Sequence, residues 1–250
     1  MTHLALVTGG ARRLGRAIAL RLAREGCDIA LHYRSSEEEA HETASDIRLL
    51  GRRAELFCFD LSEENELQTA YGTIGARFGR APNILINSAS IFEWDDLSSV
   101  SGTSLQRHFE TNLFAPVLLT RLLASHAAPD ARGAVINLLD QKLFNPNRDH
   151  LAYTLSKYAL QGFTTLMARE LAPRFRVCAI APGLTLPGPG SAGERFDTLH
   201  DQTPLKRGAR AEDIADAAAF LLRSEAITGQ TLIVDGGSHL SPSERDFAFQ

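Results

Sequence analysis

Short apolar runs alternate with longer amphipathic stretches along the whole chain. The runs typical of β-strands with both faces buried are residues 4–8, 27–33, 53–59, 83–88, 134–139, 176–180 and 231–235. Between them, stretches such as 14–26 and 104–127 place apolar residues at helical spacing. This alternation of strands and helices predicts an α/β fold, in which a parallel sheet is covered by helices on both faces.

The chain shows neither an internal repeat nor an interdomain linker. Its 250 residues fit one large α/β domain, so we expect a single domain over residues 1–250. The stretch 182–196 is rich in Pro and Gly and follows a predicted strand. Because open α/β sheets bind ligands at the carboxyl ends of their strands, we predict a mobile substrate loop around 183–198, with a plain connector as the alternative.

The charge and composition argue against several classes of partner. A formal net charge of −4 without a long basic stripe argues against nucleic acid. No apolar run approaches the roughly 20 residues needed to cross a bilayer, and the first residues show no secretory leader. Cys27, Cys58 and Cys178 lack the spacing of metal ligands, so no metal site is predicted. We therefore expect a cytoplasmic protein.

The stretch VTGGARRLGRAIAL, residues 7–20, is typical of a strand, a glycine turn and a helix. Gly9 and Gly15 let the backbone approach a pyrophosphate, which the N–H groups and dipole at the start of the helix favour. The spacing differs from G-x-G-x-x-G, because Arg13 stands where a glycine is common. A cation at a helix start is unfavourable unless an anion is present, so Arg13 indicates a bound phosphate.

The end of the second strand indicates which dinucleotide binds. The segment LHYRSSEEE contains His32, Arg34 and Ser35, and its acids come only at the end. An acid at the strand end would bind the ribose 2′-OH of NAD, whereas guanidinium and hydroxyl donors suit the 2′-phosphate of NADP. NADP is therefore the predicted cofactor, with a merely solvated strand end as the alternative. Asp60, at the end of the third strand, either accepts from an adenine amino group or caps a helix.

A tyrosine and a lysine four residues apart, Tyr153 and Lys157, share one face of a predicted helix. Asp140 ends the hydrophobic run just upstream, and Asn112 lies in a long predicted helix. We expect the Lys157 ammonium and the positive charge of a bound nicotinamide to favour tyrosinate, and so to lower the pKa of Tyr153 from about 10. Asn112 either holds a water in a proton relay to Lys157 or bonds a backbone carbonyl. Asp140 either takes part in the chemistry or caps a strand-to-loop turn.

With these motifs, INSAS at 86–90, APG at 181–183 and VDGG at 234–237, the chain resembles the short-chain dehydrogenase/reductase family over essentially its full length. The resemblance implies a doubly wound, Rossmann-type parallel sheet of seven strands, and hydride transfer from a nicotinamide. It also implies assembly into homo-oligomers, with a tetramer favoured. The positions that match the family's tetrad of Asn, Ser, Tyr and Lys are Asn112, Asp140, Tyr153 and Lys157.

Three departures make the chain similar to the pteridine reductase branch of that family, which includes dihydromonapterin reductases. Arg12 and Arg13 match the basic pair of its phosphate loop, and Asp140 replaces the catalytic serine. NSASIF replaces the usual Asn-Asn-Ala-Gly, although Ser88 stands where the branch has a second Asn. The resemblance implies that Phe92 stacks a pterin against the nicotinamide. From composition alone, the alternative for Phe92 is an ordinary core aromatic.

The loop chemistry and the resemblance together define the expected site. The residues expected to bind NADPH are Gly9, Arg12, Arg13, Leu14, Gly15, His32, Arg34, Ser35, Asp60, Leu61, Ser88, Ala89, Ser90, Lys157, Pro182 and Gly183. The residues expected to contact a pteridine substrate are Arg13, Ser90, Phe92, Asp140 and Tyr153. The residues expected to be catalytic are Asn112, Asp140, Tyr153 and Lys157.

An acid at position 140 is informative about the substrate. An ionised Asp140 only accepts hydrogen bonds, so it would repel the alkoxide that forms when a ketone is reduced. A pterin instead offers N–H donors and a reducible C=N bond. We expect Asp140, with a raised pKa in a partly buried cleft, to pass a proton to Tyr153 or to a ring nitrogen.

The leading prediction is an NADPH-dependent reductase that transfers a hydride to a C=N bond of a dihydropterin or related pteridine. One alternative is a short-chain reductase of another carbonyl or imine, and a further one is a non-catalytic NADPH-binding sensor. The amphipathic helices at 103–128 and 151–172 suit a self-complementary interface. The tail SPSERDFAFQ, residues 241–250, carries two Phe, which we expect to dock on a neighbouring subunit.

Overall fold

The computed structural model describes residues 3–187, 194–241 and 243–249. Within these ranges, seven strands form one parallel sheet in the order β3-β2-β1-β4-β5-β6-β7. The strands are β1 (Leu4–Thr8), β2 (Asp28–Tyr33), β3 (Ala54–Cys58), β4 (Ile84–Asn87), β5 (Gly133–Leu138), β6 (Phe175–Pro182) and β7 (Thr231–Val234). The doubly wound sheet predicted from the sequence is confirmed.

The strand order reverses at β1, which pairs with β2 on one side and with β4 on the other. Thr8 and Asn87 are register partners, so the carboxyl ends of β1 and β4 lie side by side. In open parallel sheets, ligands bind in the crevice outside the strand ends at such a reversal. The fold therefore places a binding crevice next to the turns that follow β1 and β4.

Eight α-helices connect the strands within the described residues. They are α1 (Arg13–Arg24), α2 (Glu37–Leu49), α3 (Glu64–Phe78), α4 (Gly102–Phe109), α5 (Ala115–His126), α6 (Leu151–Glu170), α7 (Glu194–Asp201) and α8 (Ala211–Arg223). A π-helical turn over Glu110–Phe114 joins α4 to α5, where the sequence predicted one continuous helix. Short 3-10 turns lie at Gln141–Leu143, Ser238–Leu240 and Phe247–Phe249.

The two largest of the three hydrophobic clusters in the described residues lie on opposite faces of the sheet. Val7 belongs to the core beneath α1, α2 and α8, whereas its neighbour Leu6 belongs to the core beneath α3 and α5. Both side chains are fully buried, as the period-two alternation of a strand requires. Burial of a side chain such as Leu22 of α1 contributes about 1.5–3 kcal/mol. No helix in the described ranges has the length and apolar character of a membrane span.

Candidate active site

The turn after β1 brings its backbone close to the turn after β4. Gly9 has a φ of +63°, and a Cβ atom there would lie 3.0 Å from the Cα of Ala89. A side chain on Gly15, in the first turn of α1, would collide with the carbonyl of Gly9. Both glycines are therefore required for the close backbone packing that a pyrophosphate site at a helix N-terminus needs.

His32 stabilises this turn by a hydrogen bond to its backbone. The Gly9 N–H donates to His32 Nδ1 at 3.0 Å, so the ring proton lies on Nε2, which is 3.0 Å from the carbonyl of Phe59. Burial lowers the pKa of His32 to about 4, and the bond to Phe59 opposes that shift only in part. The neutral ring lines the groove predicted for the cofactor, but both of its nitrogens already have backbone partners.

Arg34 and Asp60 form an ion pair at the carboxyl ends of β2 and β3, with Nη2 and Oδ2 2.8 Å apart. Burial acts to raise the pKa of Asp60, but hydrogen bonds from Ser62 and the charge of Arg34 outweigh it and leave that pKa lowered. The N-cap of α3 is Glu63, so the helix-capping alternative for Asp60 is wrong. The Arg34 side chain is 66% exposed, which leaves its other guanidinium donors accessible to a ligand.

A groove of about 380 Å³ follows these turns along the sheet edge. The predicted cofactor residues that line it are Gly9, Arg12, Arg13, Leu14, Gly15, His32, Arg34, Ser35, Asp60, Leu61, Ser88, Ala89 and Ser90. Thr8, which sequence reasoning missed, stabilises the turn after β4 at the side of the groove. Its Oγ1 accepts from the N–H groups of Ser88 and Ala89 at 3.0 and 3.1 Å.

The groove continues into a cleft of about 780 Å³, within the size range of small-molecule sites. The residues shared by the two are Arg12, Arg13, Leu14, Ser88 and Ser90. The other predicted site residues that line the cleft are Phe92, Asp140, Tyr153, Lys157, Pro182 and Gly183. The structure thus brings the predicted cofactor and substrate residues to one continuous space, with Asn112 just outside it.

The Tyr153 hydroxyl donates to Asp140 Oδ2 at 2.7 Å. The other carboxylate oxygen of Asp140 accepts from the backbone N–H of Lys142 at 2.8 Å, which caps the 3-10 turn after β5. The turn-capping alternative for Asp140 is therefore present. The same carboxyl also contacts the Tyr153 phenol, and its part in the chemistry stays a prediction. Burial raises its pKa, against the bonds from Lys142 and Tyr153.

The Lys157 ammonium is buried on the same helix face as Tyr153. Its Nζ donates to the carbonyl of Leu138 at 2.7 Å and lies 5.6 Å from the centre of the Tyr153 ring. Burial lowers the pKa of Lys157 to about 8, although Asp140 acts in the opposite direction. The expected lowering of the Tyr153 pKa is wrong in this structure, because burial and then the Asp140 carboxylate raise that pKa well above its ordinary value.

Asn112 lies in the π-helical turn and ties the loop after β4 to α6. Its side-chain oxygen accepts from the N–H of Ile91 at 2.8 Å. Its amide nitrogen donates to the carbonyl of Ile91 and to Ser156 Oγ, both at 3.0 Å. Ser156 in turn donates to the carbonyl of Tyr153 at 2.6 Å. The backbone-carbonyl alternative is thus present, and the water relay to Lys157 stays a prediction.

Phe92 is 49% exposed and lines the cleft, so it is not an ordinary core aromatic. Its ring stacks on His150 with centroids 3.9 Å apart and meets the Tyr153 ring edge-on at 4.6 Å. His150, which sequence reasoning missed, is buried in a left-handed conformation just before α6. Its Nδ1 lies 2.9 Å from the carbonyl of Glu93, which fixes the ring that supports Phe92.

Arg13, at the start of α1, contacts the loop after β6 across the mouth of the cleft. Its φ is +54°, and its guanidinium donates to the carbonyl of Pro187 at 3.0 Å. Of the predicted substrate loop around 183–198, residues 188–193 lie outside the described ones. The residues of its described flanks that line the cleft are Gly183, Leu184, Thr185, Leu186 and Phe196. A contact of Arg13 with a phosphate stays a prediction.

Comparison with known proteins gives consistent matches along the chain. A model of the family described as enoyl-(acyl carrier protein) reductase matches residues 9–239. The 3-oxoacyl-(acyl-carrier-protein) reductase FabG of Staphylococcus epidermidis is 31% identical over 245 residues, which cover 96% of this chain and 100% of the relative.

Two solved structures are similar over nearly the whole chain. FolM alternative dihydrofolate reductase 1 from Brucella canis, complexed with NADP, has a TM-score of 0.91 at 34% identity and covers 98% of this chain and 96% of its own. A short chain dehydrogenase from Burkholderia cenocepacia, also in complex with NADP, has a TM-score of 0.86 at 30% identity, over 94% of this chain and 97% of its own. The chain therefore belongs to the short-chain dehydrogenase/reductase family of NAD(P)-dependent oxidoreductases.

Proposed function

We propose that this protein is an NADPH-dependent reductase of a dihydropterin or a related pteridine, acting on a C=N bond. The observation that carries the proposal is the 2.7 Å hydrogen bond between Tyr153 and Asp140 in the wall of the cleft. A carboxyl group at this point suits a substrate that presents N–H donors and needs a proton at nitrogen.

The groove has the chemistry that NADPH requires. The close approach of Gly9 to Ala89 and the start of α1 suit a pyrophosphate. Arg34 and Ser35 at the end of β2 offer donors for a 2′-phosphate. NADPH bound there supplies the hydride for the reaction. The choice of NADPH is supported by the NADP complexes of the Brucella and Burkholderia proteins.

The protonation state of Asp140 determines whether Tyr153 can donate its proton to the substrate. An ionised Asp140 accepts the phenol proton of Tyr153 in a hydrogen bond, which turns that proton away from the substrate. A protonated Asp140 donates to the phenol oxygen instead, and Tyr153 then donates its proton to the ring nitrogen. The raised pKa values of both groups favour these protonated forms. One proton leaves the Asp140–Tyr153 pair as one hydride adds to the neighbouring carbon.

The Brucella protein, with its name of alternative dihydrofolate reductase, supports a reduced pteridine as substrate. A second candidate is the reduction of a 3-oxoacyl thioester, which the name of the Staphylococcus relative favours. That reaction develops negative charge on a carbonyl oxygen. Such a charge is stabilised by hydrogen-bond donors, and Asp140 is a donor only while it is protonated. The N–H groups of a pterin, in contrast, can bond to the carboxyl group in either protonation state. The pteridine reaction is therefore the better match to the site.

NADPH oxidation by the purified protein tests the proposal, with a dihydropterin, a dihydrofolate and a 3-oxoacyl thioester offered separately. Dihydropterin-dependent oxidation is the expected result. Oxidation with the thioester alone would favour the second candidate. Tight NADPH binding without turnover of any of the three would favour a sensor role and contradict the proposal.

We also propose that residues 1–250 act as one domain that assembles into a homotetramer. Exposed apolar side chains on and beside two long helices support self-association, since Phe114 is 50% and Leu166 of α6 66% exposed. Light scattering at several protein concentrations tests this assembly. A mass of one chain at every concentration would contradict it.

A further inference from the structure

The last described residues, 243–249, pack across the segment that precedes α6, and we call them the tail segment. Arg245 Nε lies 3.2 and 2.9 Å from the two carboxylate oxygens of Asp149, and Arg245 Nη2 lies 3.0 Å from Oδ1. The backbone N–H of Asp246 donates to the same carboxylate at 2.8 Å. Asp149 is only 2% exposed, and Arg245 is the first cause of the lowering of its pKa to about 2. Asp149 is therefore one anchor of the tail segment.

Lys142 provides a second anchor. Its ammonium, also 2% exposed, lies 3.2 Å from Asp246 Oδ2. Its own backbone N–H donates to Asp140 Oδ1 at 2.8 Å. Lys142 thus connects the tail segment directly to the carboxyl group that faces Tyr153.

The anchored tail segment forms part of the wall of the substrate cleft. Asp246 and Phe247 line the cleft together with Asp140 and Tyr153. The sequence suggested a neighbouring subunit as the docking surface, whereas the described part of the tail packs on its own chain. Well-packed apolar residues are often at least as stabilising as buried ion pairs, while charged pairs fix one arrangement of two segments. The ion pairs Arg245–Asp149 and Lys142–Asp246 therefore hold Asp246 in one position in the cleft wall.

We propose that the tail segment is part of the active site, and that Asp246 is a positioning residue that favours the protonated form of Asp140 before the proton is transferred. The effect on Asp140 depends on the proposed function, because it concerns the same proton. The docking of the tail segment does not depend on it.

The charges around Asp140 determine the expected effect of Asp246. The ionisable groups that face Asp140 or line its cleft are Tyr153 and Lys157 from α6, Asp246 from the tail segment, and Arg12 and Arg13 at the start of α1. The Lys142 ammonium pairs with Asp246, whereas Lys142 contacts Asp140 through its backbone N–H. Burial is the largest cause of the raised pKa of Asp140, and the Asp246 carboxylate adds to it while Lys157 opposes it. Loss of the Asp246 charge would remove one of the causes that raise the pKa of Asp140 and leave the opposing charge of Lys157 in place.

The pH dependence of kcat with a dihydropterin tests this role. In Asp246→Asn, we expect kcat to begin to fall with rising pH about one pH unit lower than in the parent. At a fixed pH within this descending part of the profile, that shift is about a tenfold loss of kcat. Asp246→Glu keeps the charge and should restore the parent profile. Asp216→Asn removes a 67% exposed carboxylate on α8 and serves as the control. Identical profiles for Asp246→Asn and Asp216→Asn would overturn the proposal.

The single tryptophan of the chain, Trp94, reports docking of the tail segment without any substrate. Its ring meets that of Phe249 with centroids 6.3 Å apart. Deletion of residues 243–250 and the variant Arg245→Gln should both shift the fluorescence emission of Trp94, without abolishing NADPH binding. Emission that neither change affects would overturn the docked tail. A parent protein that reduces no dihydropterin would instead refute the proposed function, so the two failures are distinguishable.

Discussion

The Tyr153 hydroxyl and the Asp140 carboxylate share a hydrogen bond of 2.7 Å in a cleft that is continuous with the predicted dinucleotide groove. A carboxylate in this place accepts the phenol proton, whereas a serine would also donate to a substrate oxygen. In the proposed reaction, the proton moves towards the substrate only when Asp140 is itself protonated. The proposed chemistry therefore depends on the protonation state of one buried acid.

The pH dependence of kcat should reflect Asp140. Burial raises its pKa above the ordinary carboxyl value. In the proposed reaction the protonated form is the active one. We therefore expect kcat to be constant at low pH and to fall as the pH rises through that raised pKa. Asp140→Asn does not titrate, so its residual rate should lack this limb. A limb at or below pH 8 that persists in Asp140→Asn would belong to Lys157, because the variant removes the Asp140 charge that raises a Lys157 pKa of about 8 in the parent. Superimposable profiles for the parent and Asp140→Asn would contradict the assignment.

Substrate affinity should depend on the ring of Phe92. Its position against His150 and Tyr153 offers a flat surface at the cleft. We expect Phe92→Ala to raise KM for a dihydropterin about 3- to 10-fold, because aromatic stacking contributes about 0.5–1.5 kcal/mol beyond area burial. Phe220→Ala, at a 46% exposed position on α8, is the matched control. An unchanged KM in Phe92→Ala would exclude the stacking role.

The preference for NADPH over NADH should depend on Arg34. Hydrogen bonds to charged groups contribute about 1.5–3 kcal/mol, so Arg34→Ala should weaken NADPH binding about 10- to 100-fold. Binding of NADH, which lacks the 2′-phosphate, should change little. Arg53→Ala removes an arginine just before β3, at the amino ends of the strands and away from the groove, and should affect neither cofactor. Equal losses for NADPH and NADH in Arg34→Ala would argue against 2′-phosphate recognition.

Gly15 should be indispensable for cofactor binding. A methyl group at this position collides with the carbonyl of Gly9, so Gly15→Ala must displace the phosphate loop. We expect at least a tenfold loss of NADPH affinity by calorimetric titration, as one lost charge-assisted hydrogen bond would give. Gly72→Ala in α3 meets no atom within 4 Å and should bind NADPH normally. Normal affinity in Gly15→Ala would show that the loop does not hold the cofactor as proposed.

Local sequence patterns determine much of this fold. The run at 4–8 is the strand β1 with both ends as predicted, because five successive buried residues stand directly before the glycine turn. The π-helical turn at Asn112 was not predictable, since apolar spacing continues through it at nearly the helical period. The fully buried Asn112 amide is satisfied by Ile91 and Ser156, which are distant in sequence.

Only those residues of the site that belong to a sequence motif could be predicted. The Asp140–Tyr153 pair was foreseeable from the residue types, whereas its effect on the Tyr153 pKa depends on burial that only the fold determines. Thr8 and His150 left no local signal, because each acts through backbone groups of other segments. The tail segment meets Asp149 across 96 residues of sequence, a contact that no local pattern encodes.

The most direct measurement is the single-turnover rate of dihydropterin reduction by NADPH-saturated Asp140→Ser, compared with the parent protein. NADPH affinity, measured on both proteins first, should be the same, because Asp140 lies in the cleft beyond the cofactor groove. The account predicts a rate about 10²- to 10⁴-fold lower in the variant, the usual contribution of a positioned acid. A serine variant that reduces the dihydropterin as fast as the parent would contradict it.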